Sequence, residues 1–425
     1  MYYLIRYQSK VHASSSCRKV GLFPRVNHPV RRIDLRSANV ARSNTIRDIN
    51  RQIVLNYVRE RGPISRSEIA HETALQRSTI SLIVDELKAN GLIDEGSGES
   101  TGGRPPILLS LRSTDAVAIG VDLGTTRTIV ATSDLAGRLL EQEEFPTNPD
   151  AGTTIQEIIA SVQKLLRTYS RTIEGIGISL PGFVNPETDD LYIPHFAWRD
   201  IPIADELRAA SGLPVRIDND ANAAALAELW FGRPEIREVR NFIMVLVEEG
   251  VGTGIVFDGQ VYGGEAGAAG EFGHMIIGKG APVACASGGR ECWEAFASER
   301  AALARYATSV RDSNGTPIEN FVDLVNLALE GNSAAGTALK ETAYYLGVGI
   351  ANLIQGLAPE AVIVGGPIVG AWSLLYQDLK TAVDTSLCRG FRSTPIIAST
   401  LGNEPTIMGA ISLVLASKFA SVSFN

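Results

Sequence analysis

AVAIGVDLGTTRTIVATSD, residues 116–134, reads as a strand, a Gly/Thr turn and a second strand. NFIMVLVEEGVGTGIVFDGQVY, residues 241–262, repeats that plan with what reads as a longer, glycine-rich turn. Two such hairpins, interleaved with helical periodicity, predict two similar α/β lobes facing each other across a cleft. The second turn raises a question of chemistry. Its glycines suit a loop whose N–H groups close around a phosphate, yet it opens with two carboxylates, Glu248 and Glu249.

The length of 425 residues predicts more than one domain. Apolar residues make up 45% and charged residues 20%, the balance of a soluble globular chain. No apolar run approaches the roughly 18 residues that span a bilayer, and the N-terminus has no continuous hydrophobic core, so a cytoplasmic protein without signal peptide or membrane association is expected. Four cysteines, unevenly spaced, do not make a disulfide framework.

The net charge of −8 is unevenly distributed. Residues 1–112 hold 18 Lys/Arg against 10 Asp/Glu, and the remainder holds 21 against 37. A basic head on an acidic body points to a nucleic-acid-binding module joined to a domain with another task. Residues 1–43 are basic and lack periodicity, and are expected to form a disordered extension, in part a candidate upstream start-site addition.

From residue 44 to 112 the pattern is that of a compact unit. Ile46, Ile49, Ile53 and Tyr57 recur at helical spacing, with an end expected near Gly62-Pro63. Ser65-Arg66-Ser67-Glu68 has the spacing of a capping box. In LQRSTISLIVDELKANGLI, Ile80, Ile83, Val84 and Leu87 share one face. Three helices so spaced resemble a helix-turn-helix, whose second helix enters the major groove N-terminus first, making Gln76, Arg77, Ser78 and Ser81 the candidate DNA contacts. An ordinary three-helix packing unit has the same periodicity. Two short strands around a polar loop follow, in the manner of a wing, with Arg104 in Gly-Gly-Arg-Pro-Pro placed to enter an A·T-rich minor groove.

Residues 113–425 carry motifs in a definite order: GIGISLPGFVNPETD (175–189), IDNDANAAALAELWFG (217–232), GEAGAAGEFGHMII (264–277), CASGGRECWEAFAS (285–298) and LGVGIANLIQGLAPEAVIVGG (346–366). Together with Asp122-Leu123-Gly124-Thr125-Thr126, a turn like the phosphate-binding turn of actin-like and sugar-kinase ATPases, they resemble the ROK family of sugar kinases and sugar-responsive transcription factors. The preceding winged helix is similar to the arrangement in that family's regulators. The resemblance implies an α/β fold: an N-terminal winged helix-turn-helix followed by a two-lobed, actin-like (ribonuclease-H-like) ROK domain.

By itself, Asn219-Asp220 opening an Ala-rich helix fits either a cap or a carboxylate that accepts a sugar hydroxyl's proton. By resemblance, Asn219, Asp220, Glu271, His274 and Glu294 match the family's sugar contacts, Asp220 standing where kinases hold their catalytic base. The resemblance also implies zinc bound by one His and three Cys, but here His274, Cys285 and Cys292 remain while Ser287 stands in the middle cysteine's place. A hydroxyl is a poorer zinc ligand than a thiolate. The expectation is a weakened structural zinc site, with two thiols and a histidine packed without metal as the alternative.

In ROK kinases the second loop runs Gly-Thr-Gly-x-Gly, where this chain has Glu248, Glu249 and Gly250, and Thr125 stands where the first loop usually has a second glycine. Two like charges about 4 Å apart repel by roughly 4 kcal/mol at an effective dielectric near 20. ATP and catalysis are therefore not expected. The preferred function is a DNA-binding repressor of sugar-metabolism genes, acting on a double-stranded operator as a homodimer or dimer of dimers and responding to a sugar effector. The alternative is a sugar kinase with an appended DNA-binding domain.

Overall fold

The computed structural model describes residues 43–98, 105–112, 116–170, 172–232, 234–236, 239–285, 287–289, 291–311, 318–391, 393–402 and 404–419. The readings made on residues 1–42 and on Arg104 lie outside these.

The N-terminal unit comprises α1 (Ser43–Arg61), β1 (Ile64–Ser65), α2 (Arg66–Thr73), α3 (Arg77–Ala89), β2 (Ile93–Ser97) and β3 (Ile107–Leu111). Helix α1 ends one residue before Gly62. The expected capping box forms at α2: the Glu68 N–H donates to Ser65 Oγ at 3.2 Å and the Ser65 N–H to Glu68 Oε2 at 2.8 Å. Ile80, Ile83, Val84 and Leu87 are buried as their spacing predicts, against Val54, Leu55, Val58 and Leu109. Strands β2 and β3 pair antiparallel from Ile93↔Leu111 to Ser97↔Ile107, the wing of the motif.

The first lobe contains β4 (Ala116–Leu123), β5 (Arg127–Asp134), β6 (Leu139–Pro146), α4 (Ala151–Thr168), β7 (Thr172–Leu180), a small sheet of β8 (Phe183–Val184), β9 (Leu191–Ile193) and β10 (Trp198–Arg199), then α5 (Ile203–Ser211), β11 (Val215–Asn219) and α6 (Asp220–Phe231). The second contains β12 (Phe242–Val247), β13 (Val251–Phe257), β14 (Gln260–Val261), α7 (Trp293–Ala297), α8 (Glu299–Arg311), α9 (Phe321–Leu329), α10 (Ser333–Leu357), β15 (Ala361–Gly365), α11 (Trp372–Ser386), β16 (Ile396–Ala398) and α12 (Pro405–Phe419). The two 5-stranded sheets run β11-β7-β4-β5-β6 and β14-β13-β12-β15-β16. In both, the first three strands meander antiparallel and the last two add in parallel beside the first. The internal repeat is therefore a repeat of topology.

The second turn is not longer, contrary to the sequence reading. Residues 124–126 link β4 to β5, and residues 248–250 link β12 to β13. Gly252 and Gly254 lie inside β13, where their missing side chains serve packing. A Cβ at Gly254 would sit 2.3 Å from the Ala221 carbonyl oxygen, and one at Gly252 would sit 2.9 Å from Ala221 Cβ. The glycines let the Ala-rich helix α6 lie against the second lobe's sheet. Helix α12 approaches the first lobe in the same way, and a Cβ at Gly177 would fall 1.8 Å from the Ala410 carbonyl oxygen. Each lobe thus packs the helix that follows the other lobe's last strand, and α6 and α12 touch where Gly409 meets Ala223.

Candidate sugar cleft and DNA-reading helix

Strand β11 delivers Asn219 and Asp220 to the floor of the cleft between the lobes. Asn219 caps α6, its Oδ1 accepting from the N–H groups of Ala221 (2.9 Å) and Asn222 (3.2 Å), while its Nδ2 donates to the Gly182 carbonyl at 2.9 Å. The capping reading is therefore realised. Asp220 also accepts from the Ala221 N–H, at 2.6 Å. Burial, reinforced by Asp122 and Glu271, pushes its pKa up to about 7.

Glu271, His274 and Glu294 face the same cleft as Asn219 and Asp220, so the five sequence-predicted sugar contacts converge. His274 Nε2 stands 3.5 Å from Glu271 Oε2. Its other nitrogen, Nδ1, lies 3.2 Å from Cys285 Sγ. The ligand atoms of His274, Cys285 and Cys292 are within 4.8 Å of one another. Ser287 Oγ sits 3.1 Å from Cys285 Sγ and 3.4 Å from His274 Nδ1. Burial opposes the Cys285 thiolate, but hydrogen bonds from His274, Ser287 and Cys292 outweigh it and hold the pKa below the usual thiol value. Burial, with Cys285 beside it, pushes Cys292 up to about 12.

The two residues that depart from the kinase-like loops meet each other: Thr125 Oγ1 donates to Glu249 Oε2 at 2.6 Å, joining the lobes across the cleft. Around them lie further buried carboxyl groups, of which Glu299 had no role in the sequence reading. Asp122 accepts from Thr406 Oγ1 at 2.7 Å, and burial pushes its pKa up to about 6. Burial, with Asp122, Asp220 and Glu299 nearby, raises Glu248 well above the carboxylate range. Glu299, beside Glu249, is pushed up to about 8, chiefly by burial. Nothing local in the sequence marks Glu299; only the packing of α8 brings it here.

On the N-terminal unit, Gln76, Arg77 and Ser78 are exposed and Ser81 is half-buried. Among the described residues the Arg77 guanidinium has no hydrogen-bond or ion-pair partner. The far end of α3 is bound up instead. Glu86 pairs with Arg47 and Arg51, and Glu95 of the wing strand binds both Lys88 (2.5 Å) and Arg66 (2.6 Å). Leu82, 71% exposed on α3, was missed by the sequence reading, since apolar residues were assigned to the core. A thymine methyl is a suitable partner for it.

Helix-turn-helix, wing and two-lobed cleft together define a sugar-responsive transcriptional regulator. The profile of the ROK family matches residues 118–417, and that of a winged helix-turn-helix DNA-binding domain matches residues 47–94. The chain belongs to the ROK family. It is similar to the xylose repressor of Bacillus subtilis, 28% identical over 383 residues, covering 89% of this chain and 97% of that protein. It is also similar to a glucokinase of Halalkalibacterium halodurans, 33% identical and covering 68% of this chain and 92% of the enzyme. A crystal structure of a ROK family transcriptional regulator, a homolog of the E. coli MLC protein, superposes with a TM-score of 0.74 at 27% identity, covering 88% of this chain and 97% of the other. Among the described residues no helix is long and apolar enough to cross a membrane.

Proposed function

We propose that this regulator binds a monosaccharide between its lobes through Asn219, Asp220, Glu271, His274 and Glu294, and that the sugar changes its grip on a double-stranded operator. The observation that carries the reading is the convergence of those five residues at one cleft whose floor helix, α6, also reaches the DNA-binding unit. Gln76, Arg77, Ser78 and Ser81 read the major groove, and Arg104 the minor groove beside it. Xylose is the first sugar to try, since the repressor relative is named for it.

The ROK fold also serves kinases, and the glucokinase likeness keeps that chemistry in view. Three features favour regulation without phosphoryl transfer. The phosphate corner is filled by the Thr125–Glu249 hydrogen bond. Gly252 and Gly254, the would-be phosphate cradle, pack against α6. Glu248 adds a further carboxyl side chain where the kinases' loop has a glycine and ATP would bring its phosphates. Zinc fits His274 Nδ1, Cys285 and Cys292, with Ser287 Oγ or water as fourth ligand. There it would staple the His274 loop and, through Nε2 and Glu271, hold the ring toward the sugar.

The test is operator binding by the full chain with and without xylose and other monosaccharides. The sugar is expected to change operator affinity at least about tenfold. Asp220→Ala should abolish that response and leave sugar-free DNA binding intact. Sugar-dependent ADP formation by the unmodified protein would overturn the reading in favour of the kinase.

A further inference from the structure

Resting on the sugar-site reading above, we infer that Glu249 is a positioning residue for the sugar. Its hydrogen bond to Thr125 is a clasp that holds the lobes in the arrangement where the five contacts converge. Asn219 and Asp220 stand on the first lobe, whereas Glu271, His274 and Glu294 stand on the second, so the site is complete only while the lobes are held together. The clasp joins the β4–β5 turn of the first lobe to the β12–β13 turn of the second.

The second of these turns is itself fastened to the sugar wall. Arg300 Nε donates to the Glu249 carbonyl at 2.9 Å, and its Nη2 donates to Glu294 Oε1 and to the Ala284 carbonyl, each at 3.3 Å. The Glu299 N–H donates to the Glu248 carbonyl at 2.9 Å. Gly250 leaves room for Glu294 to lie against the turn, since a Cβ there would sit 2.7 Å from Glu294 Oε2. A pull on Glu249 is thus a pull on Glu294, and the Thr125 hydroxyl sets where that wall stands relative to Asp220.

This arrangement has a thermodynamic signature. A sugar that binds only the closed arrangement has its affinity scaled by the closed fraction. Without the clasp the sugar must do more of the closing, so its affinity falls. The operator affinity measured without sugar then moves further from its sugar-bound value. A residue that merely shaped the pocket would lower sugar affinity and leave sugar-free operator binding where it was.

The experiment is titration calorimetry of the full chain with xylose, glucose and N-acetylglucosamine. It is run beside binding to a duplex operator that the full chain has selected from random sequence, with and without sugar. Thr125→Val, which keeps the shape without the hydroxyl, and Glu249→Ala are each expected to weaken whichever sugar binds by about fivefold or more. Both should widen the sugar-induced change in operator affinity, with operator affinity at saturating sugar staying within about twofold. The double variant should lose no more than either single one, because both remove the same bond. Thr125→Ser, which keeps the hydroxyl, should behave as the unmodified chain. Unchanged sugar affinity in both single variants, additive losses, or a loss that leaves sugar-free operator binding unmoved overturns the inference and leaves the sugar site standing. If none of the three sugars binds an unmodified chain that melts cooperatively, the site reading falls and this inference with it.

Discussion

Glu299 shows how a single side chain can carry a pH dependence the sequence does not announce. Its Oε1 is buried with no hydrogen-bond partner among the described residues, and burial lifts its pKa to about 8. Asp220 at about 7 and Asp122 at about 6 behave alike. For a carboxyl raised above its unfolded value near 4, the folded state holds the extra proton in between. Stability is then fully present below about pH 4 and is lost as pH rises through the folded pKa. The midpoint of thermal unfolding should accordingly fall between pH 6 and pH 8. Glu299→Gln should raise it at pH 8, by an amount worth on the order of 1–2 kcal/mol, and change it little at pH 5.5. Differential scanning fluorimetry across pH reads this directly, and equal effects at both pH values would count against a raised Glu299.

At the scale of elements, α6 joins the two functions. Its first residue is Asp220; at its other end the Trp230 carbonyl accepts a hydrogen bond from Arg59 Nη1 at 3.1 Å, and the Arg59 guanidinium lies 4.4 Å over the Trp230 ring. Arg59 belongs to α1 of the winged helix. A helix of 12 residues is about 18 Å long and stiff, so a shift at the sugar end reaches α1 with little loss. A ligand changes DNA binding only if it favours one arrangement over the other. Arg59→Ala should therefore leave the sugar Kd within about threefold and shrink the sugar-induced change in operator affinity, both measured on the same preparation. Helix α3 bears on the other end of that coupling. Arg77→Ala is expected to weaken operator binding by about 1–3 kcal/mol if it reads a base, whereas Leu82→Ala should act mainly at sites with thymine.

At the scale of the whole molecule, one apolar cluster runs from Val54 and Leu55 of the winged helix to Ile407 and Ile411 of α12, so the DNA-binding unit is seated on the sensor. One recognition helix reads few base pairs, and two-fold pairing doubles the site. The protein is expected to bind a pseudo-palindromic operator as a homodimer, with half-sites about one helical turn or a multiple apart. Footprinting together with light scattering of the complex tests this, and a single unpaired half-site protected by a monomer would refute it.

Legible in the amino-acid order alone is whatever repeats over a few residues. The capping box at Ser65, the apolar stripe of α3 and the two hairpins at 116–134 and 241–262 all follow from spacings of two, three or four, which backbone geometry turns into a face or a turn. The order of motifs adds the family and the five residues that meet at one cleft. The rest comes from packing between distant segments. Thr125 and Glu249 are 124 residues apart, and their hydrogen bond exists only because the lobes meet. Gly252 and Gly254 read as a phosphate loop because glycine marks close approach without saying what approaches; here it is α6. The raised pKa values of Asp122, Asp220 and Glu299 have the same origin. Desolvation and repulsion depend on distances between distant segments, and those are set when the helices after each lobe dock on the other.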